Sequence, residues 1–528
     1  MQRSFLFCLS LIAGALPFLA SAEETLTEDV LVTASRTQEA AAALSLAWSA
    51  VDGDALSTVA PVHINEIMQQ VPGAWISRGN GQESLVALRS PVLTGPGSCG
   101  AFFTASDGIG LRAPGFCNVN QLFDANFEQA GRIEVIKGPA TALYGSNAMH
   151  GVINVLSPAA TEKTDHAVAL EAGPDSYYRG KYHYRAKEGD HGISFNLNGV
   201  SDGGYKDDSG YDQQKLTVRH DYAGADWQVR TVLDATNLNQ ETAGFIQLTD
   251  ELEAAGASFE VYKNEDLKDT NPNPEAYRDA KSLRLYSRAS MAINATSTLV
   301  ITPYLRANEM EFLQHFLPWQ PVEENEHQSV GIRGTLHTTV DNINWIIGAD
   351  AEYTDGELTE IQAEPFSANQ PEGVHYDYEV GATILAGYAQ LRTDFDAPFE
   401  FSAGVRVEHT NYDYDNRTED GAPCGAEATA CRFFRPADRE DSFTDWSVNA
   451  GASYWLNDHQ LTYLRVARGF RAPQVTELYR LQAGQAVADL DSEEIDNIEI
   501  GLRGRYDSGA GYDLSLFFME KNEVIFQD

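Results

Sequence analysis

The sequence has little positive charge. Lysine and arginine total 37 of 528 residues, against 77 aspartates and glutamates, for a formal charge of −40. Proteins that grip nucleic acid neutralise phosphates with basic side chains, so that class is excluded. Long apolar runs are also scarce. Mean hydropathy is −0.32, and past the N-terminus no stretch reaches the roughly 20 apolar residues of a membrane-crossing helix. A polytopic helical membrane protein is therefore excluded. A β-barrel is not, because its strands face lipid only at every second residue. Cysteine is rare too, with five in the chain and no CxxC pair, which argues against a four-thiolate metal site. Neither G-x-S-x-G nor H-E-x-x-H occurs, so a hydrolase is disfavoured and no catalytic residue is assigned.

What is present begins with a leader. Arg3 precedes an apolar stretch from Phe5 to Ala20, and Ala20-Ser21-Ala22 offers a small-residue cleavage site. This pattern predicts a secretory signal peptide over residues 1–22, which carries away Cys8. The four remaining cysteines of an exported chain predict two disulfides, most simply the local pairs Cys99–Cys117 and Cys424–Cys431. Closing the first loop stabilises by about 3 kcal/mol in the chain-entropy model.

The character of the chain changes near residue 160. Residues 23–43 are small and polar, with one apolar patch at Val30, Leu31 and Val32, and predict a flexible tail. Residues 44–159 are rich in glycine and hold no long alternation, which predicts a compact α+β unit. One helix is expected near His63–Gln70, before the Pro72-Gly73 stop. From residue 160 onward apolar and polar residues alternate. Ile193, Phe195 and Leu197 interleave with Ser194, Asn196 and Asn198, and Phe401, Ala403, Val405 and Val407 with Ser402, Arg406 and Glu408. About 15 such segments, mostly of about 9–15 residues, exceed the usual strand of soluble sandwiches. Tight turns at 222–226, 294–296 and 456–458 alternate with long polar loops near 237–280, 311–326, 355–377, 413–440 and 469–492. That alternation predicts a mainly β protein, a transmembrane antiparallel barrel at 160–528 in the outer membrane. The −40 charge is assigned to its loops and lumen.

Two motifs stand out. Asp29, Val30, Leu31, Val32, Thr33 and Ala34 form a short β-former in the acidic tail, suited to adding a strand to a partner's sheet. Residues 133–156, IEVIKGPATALYGSNAMHGVINVL, read as two short strands around glycine turns. With these residues in hand, the chain resembles the TonB-dependent outer-membrane receptors. The DVLVTA segment looks like a TonB box, and residues 133–154 are close to the family's plug motif, with Lys137 where arginine is more usual. Asp107-Gly108 matches a family turn. Leu88-Arg89-Ser90 stands where the family has Ile-Arg-Gly. Gly469-Phe470-Arg471-Ala472-Pro473 with Glu477-Leu478-Tyr479 matches a barrel segment, in the seventh outer loop by strand count.

The resemblance implies a plug domain at 44–159 inside a barrel of about 22 strands. It implies ligand capture outside, TonB and the inner-membrane energy complex as partners, and Asp29 to Ala34 as the strand TonB pulls. With about 15 strands present and Asp528 last where the family usually has an aromatic, the barrel is expected to be C-terminally incomplete. Plug loops 78–83 and 90–120 are expected at the extracellular apex, stapled by Cys99–Cys117. Candidate ligand contacts are Arg78, Asn80, Gln82, Phe102, Phe103, Arg112 and Phe116. Arginines would pair with anionic chelates and aromatics would stack on ring systems. The expected cargo is a ferric siderophore or similar metal chelate; the alternative is a passive pore or an adhesin-like barrel. No histidine occurs after Arg471, which lowers a haem reading, and Met149-His150 lies inside the plug motif, which lowers a copper one. No cofactor is expected. Acidic groups at Asp250, Glu251, Glu253, Glu260, Glu265, Asp266 and Asp269, and at Asp413, Asp415, Glu419 and Asp420, offer oxygen ligands for loop-bound calcium, with solvated loops as the plainer reading.

Overall fold

The computed structural model describes the backbone at Val30–Leu31 and Glu39–Ala40, and residues 44–93, 98–246, 264, 267–393, 398–482, 484–485, 487–506, 508 and 510–525. The expected leader at 1–22, Asp29, Val32, Thr33, Ala34 and the acidic residues from Asp250 to Asp266 lie outside the described residues. Val30–Leu31 pairs antiparallel with Glu39–Ala40.

Fifteen antiparallel strands pair in chain order into one sheet, from Asp165–Ala172 to Gly511–Asn522. Alternation sets which side each residue faces. Ser194, Asn196 and Asn198 are buried in the lumen, while Ile193 and Leu197 face outward. Among the described residues the first and last strands are each paired on one side only. There the alternation of burial vanishes. Leu514, Leu516, Phe517 and Phe518 are all exposed, and the plug reaches that edge through Arg89, which donates to Ser515 and lies over the Phe517 ring.

The strands are longer than alternation predicted, reaching 21 residues in Gly373–Thr393. About 10 tilted residues cross a bilayer, so these strands continue past it on the long-loop side. Their outward positions there are acidic rather than apolar. Glu326 faces both Glu309 and Glu357 across neighbouring strands, and Glu379 faces Glu357 and Asp415. Like charges placed opposite are unfavourable. Arg417 answers two of them by donating to Glu357 and Glu379. Part of the −40 charge therefore stands on outward strand faces above the lipid band, not only in loops and lumen.

The lumen is filled by residues 44–156. A five-stranded sheet runs in the order Ala47–Asp52, Arg132–Lys137, Gly151–Leu156, Phe102–Ser106, Ile109–Gly110, with a separate hairpin of Ala74–Arg78 and Ser84–Leu88. Its own core includes Leu56, Ile67, Phe102, Phe127, Ile133 and Ile153. The expected helix is Ile64–Met68, capped by His63, whose Nδ1 accepts from the Asn65 amide at 3.1 Å.

Candidate ligand site and plug interface

Cys99–Cys117 and Cys424–Cys431 are both bonded in the structure. The first brackets a segment that does more than lie at the apex. Phe102–Ser106 descends into the lumen, and the Asp107-Gly108 turn meets the wall low down. Arg288 donates to the Asp107 carbonyl at 2.9 Å and Arg333 to that of Gly108 at 2.6 Å. Both arginines stand in the halves of their strands nearer the short turns. The expectation that all of 90–120 faces outward is therefore corrected: it is Cys117 to Asn120 that reach the outer cavity.

This corrects two ligand candidates. Phe102 packs in the plug core beside His150, and Phe103 packs on Tyr144 and near Ile346 and Tyr388 of the wall. Both are buried, because one face of their strand meets the plug core and the other meets the barrel. Gln82 is buried as well. Its amide nitrogen donates to Gln240 at 2.7 Å and its side chain to the Val62 carbonyl at 3.1 Å. Asn80 donates to the Ala243 carbonyl, and Arg78 is half-exposed beside Glu66 at 3.5 Å. Loop 78–83 therefore meets the mouth of the 242–276 loop, on the outer side. Arg112 is buried, donating to Asn325 at 3.1 Å with Asp124 at 4.0 Å. Burial lowers the Arg112 pKa and raises that of Asp124, each against its partner's pull. Phe116 stacks on His327 at 5.7 Å and packs below the outer loops.

Sequence reasoning missed the barrel's share of the site. Above the plug lies a cavity of about 310 Å³. Its floor is Cys117, Asn118 and Asn120, and its walls are Phe312, Phe316, Trp319, Tyr376, Phe433, Arg278, Arg432 and Arg480. Arg480 donates to Glu323 at 2.8 Å and also to Glu360. Burial opposes its charge, but those two carboxylates outweigh burial and raise its pKa. Arg278 is held 3.2 Å from Glu83. Arg432 instead lies over the Trp319 ring at 5.1 Å. The one local cue was the aromatic density of residues 312–319.

Below the cavity, plug and wall meet through charge. Arg89, in the left-handed region at φ 51°, pairs with buried Glu499 and donates to Ser515 at 2.9 Å. Nearby Lys137 has its pKa lowered to about 8, by burial first and then by Arg89. Lys215 meets Glu128 at 2.8 Å. The 133–156 motif touches the barrel segment at 469–479. Ala472 donates to Ser146 at 3.2 Å and Gln474 to Asn147 at 3.3 Å. Arg471 holds that barrel segment in place, with Glu493 at 2.6 Å and a fork onto Glu477 at 2.7 and 3.0 Å. At Gly145, φ 78°, a Cβ would lie 2.3 Å from Glu408, so only glycine lets the plug approach the wall there. His150 is buried beside Phe102, with its pKa lowered to about 4 chiefly by burial. Among the described residues no group of three His, Cys, Asp or Glu is placed to hold a metal ion, Asp413, Asp415, Glu419 and Asp420 included.

Residues 41–152 match the family described as TonB-dependent Receptor Plug Domain, and residues 164–528 match TonB dependent receptor-like, beta-barrel. The vitamin B12 transporter BtuB of Vibrio vulnificus (strain CMCP6) is 29% identical over 180 residues, which cover 33% of this chain and 28% of that protein. The match thus spans under a third of that relative's length. Among solved structures, the unliganded ferric citrate transporter FecA aligns with a TM-score of 0.71 at 14% identity, covering 90% of this chain and 70% of that one. The closed form of the ferric-catecholate import receptor Fiu from K12 E. coli aligns at 0.72 and 14% identity, covering 95% and 77%.

Proposed function

As the chain belongs to the TonB-dependent receptor family of outer-membrane β-barrels, we propose that it captures a scarce metal chelate outside the cell, of the ferric siderophore kind, and imports it with energy delivered by TonB. The outer cavity carries this reading. Aromatic rings from two loops and two strand ends line the cavity with Arg432, a cation stacked on a ring rather than committed to a carboxylate. Such a lining suits a ligand with planar, delocalised parts and net negative charge. Asp29, Val30, Leu31, Val32, Thr33 and Ala34 are the segment TonB takes hold of.

The alternative, a passive pore or adhesin, gains no support from a lumen filled by a plug with its own core. The proposal is tested in two arms. Purified protein is titrated with a panel of ferric siderophores, cobalamin, haem and copper chelates, and cells with and without the gene are grown under iron limitation. Deletion of residues 29–34 is expected to leave binding intact and to abolish uptake. Unchanged uptake would overturn the mechanism.

A further inference from the structure

One wall of the outer cavity is held from outside it. The 363–372 loop is a tight hairpin in which Ser367 and Gln370 pair as a bridge. Asn369, between them, faces the ring closed by Cys424–Cys431. Its Oδ1 accepts from the amides of Thr429 at 3.1 Å and Ala430 at 3.2 Å. Its carbonyl accepts from the Arg432 amide at 3.0 Å, with Cys424 Sγ 3.4 Å away. One residue thus caps three backbone donors on the far side of the disulfide ring.

The chain passes directly from the ring into the cavity wall. Arg432 lies over Trp319, and Phe433 stacks on His375 with ring centroids 3.6 Å apart. Phe433–Phe434 pairs with Leu481–Gln482 of the next long loop. The disulfide closes only its own loop, so the link to the 363–372 hairpin is the non-covalent set on Asn369.

We propose that Asn369 is a positioning residue, which clasps the Cys424–Cys431 ring and thereby fixes Arg432 and Phe433 against the ligand. The inference deepens the receptor reading, and rests on it for the role of the cavity. A wall fixed in advance loses less freedom on binding, and its loosening acts mainly on ligand escape.

The probe is iron(III) 2,3-dihydroxybenzoate, an anionic aromatic chelate, with the full chain in detergent. Asn369→Ala is expected to speed probe dissociation about tenfold and to raise hydrogen exchange at 429–435. Asn369→Asp keeps the acceptor and is expected to stay near wild type in both. Cys424→Ser/Cys431→Ser is expected to fall with the alanine variant, while barrel melting is unchanged in all three. Dissociation within twofold of wild type in Asn369→Ala would overturn the clasp. If wild type does not bind this probe, the chelate reading loses support on its own. Exchange at 429–435 then decides the clasp: unchanged protection in Asn369→Ala overturns it, and raised exchange upholds it.

Discussion

The plug–wall interface and the outer cavity both commit arginines to carboxylates, but only the cavity adds a wall of aromatic rings and an arginine stacked on one of them. Low in the lumen, arginines are committed. Arg288 and Arg333 hold backbone carbonyls, Arg406 holds Asp350 at 2.9 Å and Glu408 at 2.6 Å, and the voids between them are about 30 Å³ each. In the outer cavity the space is tenfold larger, Arg278 and Arg480 are still paired with carboxylates, but aromatic rings line the wall and Arg432 faces an indole. The difference teaches how one lumen can be both closed and openable. Buried ion pairs add little net stability over apolar packing, yet their members can return to water when they part. A plug seated in large part on charge can be released with less apolar surface exposed, its contact with the wall including one apolar cluster of Phe103 and Tyr144 against Ile346 and Tyr388, whereas the aromatic cavity keeps apolar surface for a ligand.

The sharpest break in that comparison is Arg89→Ala. It strands the Glu499 carboxylate, which is fully buried and keeps the Tyr463 hydroxyl as a donor at 2.5 Å. Removing one partner of such a pair costs about 3–5 kcal/mol. Hydrogen exchange across 84–90 in the full chain reads this as local opening. Arg89→Met with Glu499→Gln is expected to recover most of it. A loss below about 1 kcal/mol would mean that the pair is already hydrated and the contrast with the cavity false.

A second break is acid. His63 is fully buried, and its two ring nitrogens have fixed roles. Nδ1 accepts from Asn65, and Nε2 donates to the Glu83 carbonyl at 3.0 Å. Burial first, and then Arg78, lowers its pKa from 6.5 to about 4. Above pH 6.5 the neutral ring's contribution is complete. Between 6.5 and 4 the unfolded chain takes a proton that the folded one refuses, so stability falls, by about 3 kcal/mol in all, and levels off below 4. Exchange at 64–68 and 78–84 is expected to rise across that window. His63→Asn keeps a capping acceptor and is expected to flatten the profile. A slope that persists in this variant would place the sensitivity elsewhere.

These contrasts were only partly legible in the sequence. Alternation such as Ile193, Phe195 and Leu197 marks a wall with two unlike faces, and short turns against long loops give its polarity. Alternation could not mark where strands end, because above the lipid the pattern inverts: Asp377 and Glu379 point outward while Tyr376, Tyr378 and Val380 are buried inside, so the outward face no longer reads as lipid-facing. Phe102 and Phe103 stood beside a disulfide and read as ligand contacts. Their strand is covered on both faces, and a run of buried residues carries no period to say so. The cavity was hidden for another reason. Trp319, Phe433 and Arg480 come from loops more than 100 residues apart at their extremes, and only the curved wall brings them together.

The smallest effect expected tests the cavity's side of the comparison. Trp319 contributes a ring beneath Arg432, an edge contact to Phe433 at 6.4 Å, and a contact to Phe366 at 6.4 Å. None of these carries the fold, since Trp319 lies in the short 314–321 loop. A stacking contact is worth about 0.5–1.5 kcal/mol. Trp319→Ala is therefore expected to weaken iron(III) 2,3-dihydroxybenzoate binding by about two- to tenfold while leaving barrel melting unchanged, and Trp319→Phe to recover part of the loss. If Kd does not move, the aromatic wall is packing rather than a ligand surface. The cavity would then differ from the plug interface in size alone.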